Sequence, residues 1–514
     1  MSNKLFKKEE TKNLLYLLLL ALILRLFLLH HTYVIAKDGV IYISLGRYFA
    51  AGDFTRGLGH FFPPLYPLLI ATVSLLIRNF ELSGQLISVA FGSLTVVPVY
   101  LLTKSLINLK AGFLAAFFTV FHPLLVRYSG EVLAESIYIF LFVSALYFIW
   151  RALRSRRLPY FFFTGIFAAL AYLTRPEGLG LLVLVFFWLF FLVVSGDKSS
   201  LSLRKAALAL SLLLLPAILL AFPYICYMKA HDTEWKLTRK VDIFHRMGLR
   251  EYLRKEPLAQ KEATVETPTE RWVFDREKFF RFWGEYVRIS SKTLLHFADV
   301  LHPALFLLLL FSFLKRRGPV FVPRANAFVF SAFLLYLSVF SLIGLSHRHL
   351  TQLVPVALPW MALGILRLND LIYSRIIKKR QRPFISKEKL LLILMVAVTI
   401  IILPKTLSPQ RKKKLILKEA GLSLKEKGLF EPVIVGNLPR LSYYAGGRHI
   451  EADDHASAYP PLIQKARFNG ADYIVMEKTE ESEPFFEAID PRDLKFVRRF
   501  SQKEKTLLIY ELKR

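Results

Sequence analysis

Cysteine is nearly missing from these 514 residues: Cys226, inside an apolar run, is the single thiol. One thiol excludes an intramolecular disulfide and any cysteine-built metal cluster. Acidic residues are also scarce, 39 against 69 lysines and arginines, for a formal net charge of +30. Such an excess often marks a nucleic-acid partner. Here the basic residues lie mainly in short connections between apolar runs, as the positive-inside pattern requires, so nucleic acid is excluded. No repeat of solenoid period occurs, and no matched inverted halves of the transporter kind. The first apolar run, Leu14 to Leu29, is long for a signal core and lacks a small-residue cleavage site after it. It reads as a first membrane helix.

What the chain has in abundance is apolar surface. Hydrophobic residues make up 54%, with 45 phenylalanines and a mean hydropathy of +0.42. A soluble domain could not hide so much, whereas a bilayer solvates it. The composition therefore predicts a polytopic α-helical membrane protein. Runs near spanning length fall at about 14–35, 84–103, 111–126, 136–150, 160–174, 178–195, 206–228, 300–314, 325–345, 350–366 and 390–404, about eleven spanning helices. Leu65 to Ile77 is a further apolar stretch. If it does not cross, clusters such as Arg151, Arg154, Arg156 and Arg157 fall on the cytoplasmic side with the N-terminus; if it crosses, the bias reverses. The expectation is an interfacial segment in a first outer loop (36–83), beside the amphipathic stretch Val40–Ala51. A long outer loop (229–297) ends in the aromatic cluster Phe279, Phe280, Phe282, Trp283 and Tyr286, suited to the headgroup level. Residues 1–404 are expected to form the membrane domain. Residues 405–514 read as an extracytoplasmic α/β domain, with strands at Pro432–Asn437 and Asp472–Met476. A helix at Pro460–Phe468 and a closing hairpin, Phe496–Phe500 with Thr506–Leu512, complete it.

Ionisable residues at helix ends near the hydrocarbon require a reason. Four groups stand out on the expected outer side: Asp38 after Lys37, Glu131 with Glu135, Arg175 with Glu177, and His347 with Arg348 and His349. Each also has a plain alternative. Asp38 and Glu131 could be solvated loop acids, and Glu135 could cap its helix through the dipole. Arg175 and Glu177 could pair across their turn, and His347 could face water at a helix start. Arg25, within the first helix, either meets an acidic partner or snorkels. Asp453-Asp454 reads as a solvated turn, and Ala445-Gly446-Gly447-Arg448 lacks the Lys-Ser/Thr of a phosphate loop.

Several motifs, spread over roughly 14–366, resemble the GT-C glycosyltransferases. The likeness is to their family 39-like bacterial branch, which holds relatives of protein O-mannosyltransferases and of the lipid A aminoarabinose transferase. The first helix with Arg25, closing on Asp38, is similar to the family's start. Phe62-Pro63-Pro64-Leu65-Tyr66-Pro67 resembles its first-loop signature, and Leu133-Ala134-Glu135-Ser136 its second-loop acidic motif. Leu173-Thr174-Arg175-Pro176-Glu177-Gly178 resembles a frequent turn of the family. Arg348 followed by Leu353-Val354-Pro355 resembles a late arginine segment, with His349 where tyrosine is usual.

The resemblance implies a GT-C-like fold in the cell membrane and a polyprenyl-phosphate sugar donor. The acceptor would be a protein, glycolipid or glycan hydroxyl. It implies direct displacement, with Asp38 as general base and Glu135 or Glu131 assisting. Arg348, with Lys37 and Arg175 behind it, would hold the lipid phosphate. Glu177, His347, Tyr66 and His60 complete the expected substrate-binding set. A divalent cation on Asp38 and Glu135 stays open. So do two other functions: a glycolipid transporter or flippase, and a non-catalytic envelope assembly protein.

Overall fold

The computed structural model describes residues 2–194, 202–232, 235–239, 255–257, 270–272, 276–314, 322–343, 347–377, 385–452, 459–479, 482–502 and 505–513. Asp453 and Asp454 lie outside them.

Each of the eleven apolar runs is mainly helical over its described residues. Eight described helices are long and apolar enough to cross a membrane; counting each of two bent pairs as one span makes ten. The expected eleventh, Leu158–Tyr172, has only 15 residues and so falls short by length. The bends have visible causes. Leu109–Phe121 turns by 56° into Pro123–Ser129, and Phe280–Val300 turns by 113° into Pro303–Phe311. In each case a proline opens the second piece, where it lacks the N–H a continuing helix would need. Polar caps start other helices: the side chains of Asn79, Asn108 and Ser386 accept from Leu82 N, Ala111 N and Lys389 N.

The helices pack around Glu135–Ser155 and His347–Arg375; the latter is 94% buried within the protein over its most apolar window. Arg25 departs from both expectations. Fully buried, it neither snorkels nor meets an acid, because its guanidinium donates to Ser129 Oγ and to the carbonyls of Ala21 and Thr119 at 3.1–3.3 Å. A buried cation needs such acceptors to offset desolvation.

Leu65–Ile77 begins and ends at one end of the molecule. Leu65 N donates to Leu173 O at 2.9 Å, and Tyr66 Oη donates to Gly84 O at 2.9 Å, next to the start of Phe80–Leu94. Glu81, four residues beyond Ile77, accepts from Tyr443 and Tyr444, and Tyr444 Oη accepts from Ile35 N at 2.9 Å. The same end therefore carries Ile35, Leu173 and both ends of this short helix, which accords with an interfacial segment.

The tail forms a five-stranded sheet. A separate two-stranded pair, β1 (Lys255–Pro257) and β2 (Glu270–Trp272), precedes it in sequence. The strands of the main sheet are β3 (Val433–Gly436), β4 (Arg448–Glu451), β5 (Tyr473–Glu477), β6 (Leu494–Gln502) and β7 (Lys505–Leu512). Their order is β4-β3-β5-β7-β6, with β3 parallel to β4 and β5, and β7 antiparallel to β5 and β6. The expected strands, hairpin and helix (Tyr459–Phe468) are all present. The tail is tied to the helical unit beside Asp38. Tyr33 N donates to Gln410 O, Gln410 N to His31 O, and Lys37 Nζ lies 3.2 Å from Glu451 Oε1.

Candidate active site

Four separate stretches of sequence meet at that end. Asp38 lies in the first turn of Lys37–Ala50, and Glu135 is the first residue of Glu135–Ser155. Arg175 precedes the turn Pro176–Gly178, and Arg348 lies in the short helix His347–Leu350. The turn needs its glycine: a β-carbon on Gly178 would come within 2.4 Å of Tyr172 N.

The charges form one chain of ion pairs. Arg348 bridges Asp38 and Glu135, and its Nη2 donates to Glu135 Oε2 at 3.1 Å. Arg175 Nη1 donates to Glu135 Oε1 at 2.6 Å, and its Nη2 to Glu177 Oε1 at 3.3 Å. Tyr336 Oη donates to the Glu177 carbonyl at 3.2 Å. Access separates the carboxylates: the Glu135 and Glu177 side chains are 0% and 1% exposed, whereas that of Asp38 is 31% exposed. Glu135 thus does more than cap its helix. It is the buried counter-ion of two arginines. Burial alone would lower the Arg175 guanidinium, but Glu177 and Glu135 outweigh it and hold it above its ordinary value.

A cavity of about 260 Å³ opens beside this chain, lined among others by Asp38, Tyr42, Phe62, Arg175, Arg348 and His349. Tyr42 was missed in the sequence, although its place four residues after Asp38 on one helix puts both on one face. Its ring packs on Phe62 and edge-on against Tyr66, and burial raises its hydroxyl pKa.

The remaining expected residues lie around this cluster. Tyr66 is buried behind Tyr42, its hydroxyl bonded to Gly84 O and 3.0 Å from Ser88 Oγ. His60 stacks on Phe62 and accepts from Phe62 N; burial lowers its imidazole pKa, with Asp38 opposing. Lys37 points to Glu451 of the tail. Glu131 belongs to another group, its Oε2 accepting from Arg411 Nη2 at 2.6 Å and its Oε1 3.6 Å from Arg127 Nε.

Asp38 and Glu135 do not fit a divalent cation as arranged, because arginine donors already occupy both Glu135 oxygens and one Asp38 oxygen. Among the described residues, His296, Asp299 and His347 form the group whose donor types and spacing suit a metal, with ligand atoms within 4.8 Å of one another. That is where the structure places His347.

Residues 62–228 match the family model for dolichyl-phosphate-mannose-protein mannosyltransferase. Over the whole chain the similarity is to solved membrane proteins. ArnT from Cupriavidus metallidurans, bound to undecaprenyl phosphate, is 12% identical with a TM-score of 0.60, over 96% of this chain and 97% of that one. The fold is that of the GT-C glycosyltransferases. The Archaeoglobus fulgidus oligosaccharyltransferase, in complex with Zn and sulfate, shares this fold at 15% identity and a TM-score of 0.58, over 90% of this chain and 67% of that one. The arabinofuranosyltransferase AftD from Mycobacteria does so at 12% identity and a TM-score of 0.50, over 97% of this chain and 41% of that one. No curated protein sequence matches the chain. The likeness to GT-C structures is thus one of architecture.

Proposed function

We propose that this chain transfers a sugar from a polyprenyl-phosphate donor to an acceptor hydroxyl on the outer face of the cell membrane. The carrying observation is Arg348, held between Asp38 and Glu135 in the wall of the cavity. An arginine with a planar fork suits a phosphate, and two carboxylates keep it in place until one arrives. When the donor phosphate engages Arg348, it competes with Asp38 for the guanidinium and releases a carboxylate oxygen. Asp38 is then the accessible base, since Glu135 is sealed.

The displacement balances with these groups. The acceptor oxygen bonds to the anomeric carbon while its proton passes to Asp38. The bond from that carbon to the phosphate oxygen breaks, and its electron pair leaves with the lipid phosphate. Charge growing on the phosphate is met by Arg348, with Arg175 beside it in the cavity wall. ArnT in its lipid-bound structure holds undecaprenyl phosphate, which supports the choice of donor class.

Transfer from an undecaprenyl-phosphate-linked sugar by the purified chain tests this reading. Asp38→Asn preserves shape and should lower the rate by about a hundred- to ten-thousand-fold, the usual worth of a positioned base. Donor binding should persist. A rate equal to wild type at matched folding would remove Asp38 as the base.

A further inference from the structure

The tail meets the helical unit through a second group of charges that the proposed displacement leaves unused. Arg411 follows the last membrane helix, Arg440 lies in the first turn of the short helix Pro439–Tyr444 of the sheet domain, and Lys414 lies between them in sequence. Arg411 donates to Glu131, which also faces Arg127. Arg440 is half-buried and, among the described residues, has neither a hydrogen bond nor an ion pair; its Nε is shut off from solvent. The Nε of Arg411 is equally buried and unsatisfied. A partly desolvated guanidinium without an acceptor is costly, and one beside further cations more so.

Two other observations point the same way. Burial, then Arg411, depress the Arg440 guanidinium, while Glu131 and Asp38 draw it upward, so Arg440 stands within reach of the Asp38 charge. Burial, then Arg440, Arg411 and Lys505, likewise push the Lys414 ammonium down. Secondly, Arg411 sits at φ +57°, a left-handed conformation that a residue with a β-carbon rarely adopts. Glycine would fit that backbone better, yet the position carries an arginine aimed at Glu131.

We propose that Arg440, Arg411 and Lys414 form a binding site for an anionic group, phosphate or carboxylate, carried by the acceptor. The assignment rests on the glycosyl-transfer reading above. These cations sit on the sheet domain and its connection to the last membrane helix, whereas the donor's tail must stay among the membrane helices. An acidic acceptor gripped there would present its hydroxyl toward Asp38. Glu131 is the internal anion that holds Arg411 until the acceptor replaces it.

The experiment uses the full chain in lipid nanodiscs with two probes, inorganic phosphate for the acceptor anion and undecaprenyl phosphate for the donor. Arg440→Gln should weaken phosphate binding about tenfold or more, the scale of a lost charged hydrogen bond, and leave undecaprenyl phosphate binding unchanged. Arg348→Gln should weaken undecaprenyl phosphate binding and leave in place the part of the phosphate affinity that Arg440→Gln removes. Glu131→Gln should tighten phosphate binding, because it removes the competing carboxylate, an effect that a merely structural role would not produce. Arg440→Lys, with an unchanged melting temperature and intermediate phosphate affinity, guards against a folding artefact. Phosphate binding that ignores Arg440→Gln would overturn the site. Loss of undecaprenyl phosphate binding in the same variant would reassign it to the donor and overturn the acceptor proposal. Neither readout needs turnover, so failure of glycosyl transfer itself would be seen separately, in the Asp38 assay.

Discussion

Arg175 shows why single residues dominate this site. It lies between Glu135 and Glu177, and all three side chains are at most 4% exposed. Removing one member of such a group strands the others in low dielectric. Arg175→Ala should therefore cost about 3–5 kcal/mol of stability, the range for a broken buried pair. Thermal unfolding in detergent measures this, and an unchanged midpoint would show that water reaches the two acids. Arg348 is different. Its side chain is 24% exposed, and its partner Asp38 reaches the cavity. Its replacement should act on donor binding more than on folding. The residue types of the site were legible in the sequence as four charged groups at helix ends. Their pairing was not: Arg348 reaches Asp38 across 310 residues and Glu135 across 213, and no local pattern encodes such contacts. Arg440 left no trace in the sequence at all, since an arginine in a polar tail looks solvated until the tail docks.

At the scale of elements, run length located every described helix long and apolar enough to span, because burial in lipid leaves long apolar runs, and it also counted Leu158–Tyr172, which is too short. Where helices touch, small residues decide how closely. Helix Val354–Ile372 continues the segment that carries Arg348, and its Gly364 lies against Pro303–Phe311 so tightly that a β-carbon would fall within 1.7 Å of Leu308 O. Gly165 meets Leu213 O in the same way, at 2.1 Å from the would-be β-carbon. Backbone carbonyls cannot swing aside as a flexible side chain could. Gly364→Ala should thus force the two helices apart and destabilise the protein by about 1–3 kcal/mol, the usual cost of overpacking. The displacement should also reduce transfer, through Arg348. Unfolding midpoint and rate measured on the same sample check both, and an alanine variant of wild-type stability would show that these helices separate freely. The glycine contact was invisible in the sequence, where Gly364 is one small residue among many apolar ones.

The whole molecule has two chemically distinct ends. One holds Asp38, Glu135, Arg175, Arg348 and the docked sheet domain. At the other, Glu10 pairs with Lys104, Arg154 Nη1 donates to Ser105 O at 2.8 Å, and Lys387 lies 2.5 Å from Asp370. That end gathers the basic connections which the charge pattern assigns to the cytoplasm. The positive-inside rule predicts that this end faces the cytoplasm. In a Cys226→Ala background, a cysteine at exposed Lys427 in the sheet domain should react with a membrane-impermeant thiol reagent added to intact cells. One at exposed Ser155 should react only after the membrane is opened. Ser129, although on the expected outer side, would be a poor reporter, because it is buried against Arg25. Labelling of Ser155→Cys in intact cells, with Lys427→Cys protected, would invert the molecule. The cavity would then open toward the cytoplasm, where the sugar donor and acceptor would have to be of another kind.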